Sequence, residues 1–109
     1  MRELTLETNT PKLKINGMVF KVQMNDAEIM HTASEVKERC HGIDPKDTHK
    51  VLETARYLAQ SIDRVLGEGA VEAISNGAPV SVQRMVEWFN LIVDNALAAQ
   101  FDKLVEEND

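Results

Sequence analysis

The chain has 109 residues, 43% of them hydrophobic and 28% charged, with a formal net charge of −6 at pH 7. This size and composition predict one globular domain, residues 1–109, whose core needs no disulfide. The negative charge repels polyanions, and one Trp, one Tyr and three Phe are few for base stacking, so nucleic acid is not an expected partner. No signal peptide or membrane span is recognisable, which favours a cytosolic protein without membrane contact.

Alternating apolar and polar residues predict strands within residues 3–24. Asn16-Gly17 separates two such runs and predicts a two-residue turn, because both residues accept positive φ. This turn pairs Ile15 with Met18 and gives a register that places four apolar side chains on one face, those of Leu13, Ile15, Met18 and Phe20. Leu4 and Leu6 indicate a weaker third strand. An isolated hairpin is marginally stable in water, so this one must lie against helices.

Start and stop residues divide the remaining chain into helices. Asn25 and Glu28 have the spacing of a capping box and predict a helix from about residue 25 to residue 40. Asp44-Pro45 predicts the start of the second helix, with Asp44 as its cap. Gly67 suits the left-handed position at the end of that helix.

A short helix is predicted over about residues 69–75, because Asn76-Gly77 and Pro79 end it. Ser81 then caps the last helix. The fold class is therefore α+β. A hairpin of two or three strands, over about residues 3–24, precedes a helical body over about residues 25–107, with three longer helices and one short helix.

The potential metal ligands and nucleophiles have no activating pattern. A single cysteine, Cys40, cannot form an intramolecular disulfide, and with His31, His41 and His49 it lacks the spacing of a metal site. Cys40 with His31 or His49 is conceivable as a nucleophile and base, but no orienting third group is recognisable, and a small buried thiol is the alternative. We predict no catalytic, cofactor-binding or metal-binding residue.

Two further patterns favour structural interpretations. The acidic residues near the first helix junction lack the spacing of a calcium loop: Glu35, Glu38, Asp44 and Asp47. Gly67-Glu68-Gly69 lacks the preceding strand, third glycine and lysine of a phosphate loop. Gly67 is better interpreted as a helix terminator, and Gly69 as a residue that relieves crowding where the short helix begins.

The last helix carries more apolar residues than one small core requires. It is either a core helix buried on several sides, or a helix that meets a partner or a second copy with part of its surface. The second interpretation predicts five partner-binding residues, namely Trp88, Leu91, Ile92, Leu97 and Phe101.

Three segments in this order carry a family resemblance over most of residues 12–100. They are Lys12-Leu13-Lys14-Ile15-Asn16-Gly17-Met18-Val19-Phe20, Ile62-Asp63-Arg64-Val65-Leu66-Gly67-Glu68-Gly69-Ala70, and Glu87-Trp88-Phe89. The chain thereby resembles the tail assembly chaperones of long-tailed phages and prophages of Gram-positive bacteria. Residues 37–49 depart from the family pattern, since they are longer and more polar.

The resemblance implies a non-enzymatic protein in the cytoplasm of the bacterial host, without a cofactor. It implies binding to the long, apolar, helical tape-measure protein, which stays soluble while tail-tube subunits assemble around it. An acidic body with an apolar groove suits this task physically, since it covers an apolar helix without precipitating. The alternative is a phage structural or adaptor protein that forms homo-oligomers through its last helix.

Overall fold

The computed structural model describes Glu3 and residues 11–107, with side chains as far as Gln100. Within this range an antiparallel hairpin precedes four helices, which confirms the predicted α+β class and the order of three longer helices and one short helix. In chain order the elements are β1 (Lys12–Ile15), β2 (Met18–Lys21), α1 (Asp26–Cys40), α2 (Thr48–Leu66), α3 (Ala70–Ser75) and α4 (Val82–Glu107).

The hairpin has the predicted turn and register. Asn16 and Gly17 have φ values of 51° and 82°, and the strands pair Ile15 with Met18 and Leu13 with Phe20. The strands are shorter than predicted, because Val22 and Met24 lie beyond β2. The third strand predicted at Leu4 and Leu6 falls outside the described residues.

The segment after β2 attaches the hairpin to the helical body. The Gln23 N–H donates to the carbonyl of Val65 in the last turn of α2, at an N···O distance of 2.7 Å. Because Val65 lies in the last turn, no N–H group of α2 donates to its carbonyl, and the bond from Gln23 supplies the missing donor. At α1, the predicted capping box is confirmed: Asn25 accepts from the Glu28 N–H at 2.8 Å, and Glu28 accepts from the Asn25 N–H at 3.3 Å.

The predicted start of α2 at Asp44-Pro45 was wrong by one turn. Asp44 accepts from the Lys46 N–H with its side chain and from the Asp47 N–H with its carbonyl, so Pro45 lies in a tight turn before the helix. Asp47 is the residue that caps α2, since its carboxylate accepts from the Lys50 N–H at 3.2 Å. Both aspartates have capping chemistry, and Pro45 suits a turn as well as a first helical position.

Both glycines between α2 and α3 are required by backbone conformation. Gly67 ends α2 with φ 111° and ψ 153°, which is a glycine-only region but not the predicted left-handed helical one. Gly69 has φ 84° and ψ 3°, and a Cβ atom there would meet no atom within 4 Å. The predicted relief of crowding at Gly69 was therefore wrong, and left-handed geometry is the reason for that glycine.

The carboxylate of Asp63 caps α3 from the preceding helix. It accepts from the Gly69 N–H at 3.3 Å and from the Val71 N–H at 3.0 Å. These amides stand at the start of α3, where no intrahelical acceptor exists. Asp63 thus ties the last turn of α2 to the first turn of α3.

The core lies mainly between α2 and α4, with α1 and the hairpin packed beside them. As predicted from Ser81, α4 begins with a cap, because the Ser81 hydroxyl accepts from the Arg84 N–H. Two apolar helix residues lie outside the core, since Met30 in α1 and Leu52 in α2 are exposed. The buried apolar residues are Val22, Ile29, Val36, Leu58, Ile62, Val65, Leu66, Ala70, Met85, Phe89, Ile92, Val93 and Ala96.

Asp63→Ala is expected to lower the free energy of unfolding by about 1–2 kcal/mol, because two amides lose their acceptor. Asp63→Asn keeps one acceptor oxygen and should lose less. Urea denaturation followed by circular dichroism measures both variants. Glu68→Ala removes the same charge from an exposed neighbour and is the control, expected within about 0.5 kcal/mol of the parent. An equal loss of unfolding free energy in Asp63→Ala and Glu68→Ala would contradict the capping role of Asp63.

Candidate functional site

A groove of about 350 Å³ runs between the hairpin and α4. Its walls come from β1 and its turn on one side and from α4 on the other, and α3 contributes one residue. Most of the surface is apolar, with three polar side chains among the lining residues. The lining residues are Leu13, Lys14, Ile15, Asn16, Ile74, Trp88, Leu91, Ile92 and Asn95.

Helical spacing places the α4 side of the groove on one face. Trp88, Leu91, Ile92 and Asn95 stand at positions i, i+3, i+4 and i+7, which share a helix face. Ile92 is buried and Trp88 is half-buried, whereas Leu91 is 61% exposed. The Asn95 side-chain amide donates to the carbonyl of Leu91 at 2.7 Å and is held along the helix. Leu91 is therefore an apolar side chain available for contact.

The hairpin register determines the opposite wall. Leu13 and Ile15 point toward the helical body and are half-buried against the core, while the side chain of Lys14 points away from it. The sequence pattern predicted an inward face for Leu13 and Ile15 but did not connect them, or Ile74, with a binding site. Their alternation was the available signal, and their proximity to α4 depends on packing between distant segments.

The structure separates the five predicted partner-binding residues. Trp88, Leu91 and Ile92 lie together in the groove. Leu97 follows Trp88 by nine positions, which is a half-turn in helical phase, and it is half-buried against the core. Gln100 lies near that side and donates to the Met24 carbonyl before α1. The side chain of Phe101 lies outside the described residues.

Two of the three histidines each pair locally with a glutamate. His31 contacts Glu35 at 2.8 Å and His49 contacts Glu53 at 3.0 Å, each across one turn on the exposed face of its helix. Within the described part of the chain, no three His, Cys, Asp or Glu side chains converge as metal ligands would. His31 and Cys40 are nine positions apart in α1, so about 13 Å of helix separates them. They cannot act as a nucleophile and its base.

The glycine-containing turn has its amides already occupied. The Gly69 and Val71 N–H groups, which a phosphate would need, both donate to Asp63. The groove, in contrast, is a mostly apolar surface, and its polar lining residues are Lys14, Asn16 and Asn95. This arrangement suits contact with apolar side chains of another molecule.

Comparisons of the chain with protein-family models, with curated proteins and with solved structures find no match. Among the helices that the structure describes, none has both the length and the apolar character that crossing a bilayer demands.

Burial raises the pKa of the Cys40 thiol. Because the thiolate is the reactive form, a raised pKa leaves less of it at neutral pH. We expect the alkylation rate with iodoacetamide to rise with pH at a higher midpoint in the folded chain than in the same chain in urea. The midpoint, rather than the absolute rate, is compared because burial also restricts access. A folded midpoint at or below the unfolded one would indicate an activated thiol.

Proposed function

We propose that the chain is a non-enzymatic binding protein that holds an apolar helical segment of another protein in the groove between β1 and α4. The observation that carries this proposal is Leu91, which is 61% exposed beside the half-buried Trp88 and the apolar wall of Leu13 and Ile15. Together with the resemblance to tail assembly chaperones, the groove leads us to propose that the chain is a phage tail assembly chaperone. Its proposed partner is the tape-measure protein, which the chaperone would keep available for tail-tube assembly in the host cytoplasm.

The energetics of the groove support binding by contact. Full burial of an exposed leucine side chain contributes about 1.5–3 kcal/mol. Leu91 is 61% exposed, so burial of its remaining surface contributes about 1–2 kcal/mol, which is roughly a five- to twentyfold gain in affinity. A helix laid in a groove places anchors from successive turns on one line, and the groove offers apolar side chains from three separate elements to receive them. The net charge of −6 would keep a complex with an apolar partner in solution.

Co-expression with the tape-measure protein of the same phage or prophage tests the proposal. We expect the large protein to become soluble and to co-purify with this chain. Leu91→Glu should reduce the co-purified amount about tenfold, because it places a charge on the apolar surface. Leu52→Glu is the matched control, since Leu52 is 56% exposed on α2, lies outside the groove, and should retain binding.

Circular dichroism and urea denaturation establish that both variants fold. Because Leu91 and Leu52 are both exposed, we expect each variant to unfold within about 1 kcal/mol of the parent. Binding by Leu91→Glu at the parental level would contradict the groove assignment. A partner that stays insoluble with the parental chain would contradict the chaperone function itself.

The second candidate function is a structural or adaptor protein that self-associates through α4. The observation that favours it is the length of this helix. Ala96 is the last buried residue of α4 among those with described side chains, and the helical backbone continues to Glu107, about 16 Å further. Sedimentation equilibrium distinguishes the two functions: a concentration-independent oligomer, together with this chain in purified virions, favours the structural one.

A further inference from the structure

The face of the hairpin that points away from the core is basic, in contrast to the whole chain. Lys12, Lys14 and Lys21 are all exposed there, and Val19 lies among them with 62% of its surface exposed. The register places Lys12 directly opposite Lys21 and Lys14 directly opposite Val19. We call these four residues the lysine face.

The arrangement of the lysine face destabilises the hairpin itself. Pairs alternate along an antiparallel ladder, and the pair next to the turn is hydrogen-bonded, so Lys12 and Lys21 form a pair of the closer, non-hydrogen-bonded kind. Like charges directly opposite each other are unfavourable. Among the residues with described side chains, the ion pairs are those of His31 and His49, and no carboxylate pairs with these ammonium groups.

Protection of exposed strand edges does not require this arrangement. Charged side chains, lysine especially, keep edge strands from pairing with other chains. A lysine opposite a glutamate would give the same protection and would stabilise the hairpin as an opposite-charge pair. No carboxylate among the residues with described side chains neutralises Lys12 and Lys21, and an anionic group of another molecule placed between them would neutralise both at once.

We propose that the lysine face binds a short acidic segment of a partner protein, with an aliphatic side chain of that segment on Val19. The carboxylates provide the charge complementarity, and Val19 provides an apolar contact that phosphate groups cannot use. Nucleic acid is disfavoured because the remaining surface is acidic and the lysine face has no aromatic side chain for stacking. This binding site goes beyond the proposed function. It shares Lys14 with the groove lining, whereas Lys12, Val19 and Lys21 lie outside that lining.

A titration of the isotope-labelled full chain with the peptide Glu-Glu-Val-Glu-Glu, followed by amide NMR, tests the proposal. We expect saturable shifts confined to residues 12–21 and weaker binding at higher salt. Lys-Lys-Val-Lys-Lys should produce none. A duplex DNA of random sequence and vesicles with anionic lipid should produce no comparable shifts, and binding of either one in place of the peptide would overturn the assignment to a protein segment.

Lys21→Glu separates the binding role from a structural one. It creates an opposite-charge pair with Lys12, so the chain should be at least as stable as the parent, whereas peptide affinity should fall about tenfold. Lys46→Glu makes the same charge change at an exposed position outside the hairpin and should leave the affinity unchanged. Absence of peptide binding to the parent, or equal losses in both variants, would overturn the proposal. Aggregation of Lys21→Glu without any loss of affinity would instead assign the lysines to edge protection.

Discussion

The positions of α3 and of the chain that follows it depend on one carboxylate. Asp63 accepts hydrogen bonds from two backbone amides at the start of α3. The glycines of the intervening turn prevent α2 from continuing. Fixed in this way, α3 brings Ile74 to the groove and leads through the Asn76 turn to the cap of α4. A polar group at the end of one helix thereby helps to place one apolar residue of the candidate binding site. Helix termination contributes to the groove beside hydrophobic packing.

Local signals predicted the elements whose determinants lie within a few residues. The turn at Asn16 set the hairpin register, and the capping box at Asn25 set the start of α1, because each needs only its own sequence neighbours. Asp44 and Asp47 are equivalent caps by composition, so the sequence alone did not decide where α2 begins. The Asp63 cap was not predicted because its acceptor contacts span six and eight positions rather than the two or three of a regular N-cap.

The candidate site was predicted in part, since periodicity finds the apolar face of a helix but not its neighbours. Trp88, Leu91 and Ile92 share a face and line the groove, as the helical repeat requires. Leu97 was grouped with them by apolar character, although its helical phase places it a half-turn from Trp88 and outside the groove lining. The opposite wall, from β1, comes from the other end of the chain, and only tertiary packing joins it to α4. The distribution of charge was likewise not predicted, because the net charge of −6 gives no indication that three lysines share one face of the hairpin.

The separation of the two groove walls along the chain has a consequence for biosynthesis. Residues 13–16 leave the ribosome long before residues 88–95, and Gln100, which donates to the Met24 carbonyl, follows it by 76 positions. Such distant contacts form only after the entropy of closing a long loop is overcome. Until α4 is translated, the inward face of the hairpin has no partner from that helix. The groove is therefore assembled last, and a chain interrupted before α4 would expose one apolar wall of an incomplete groove.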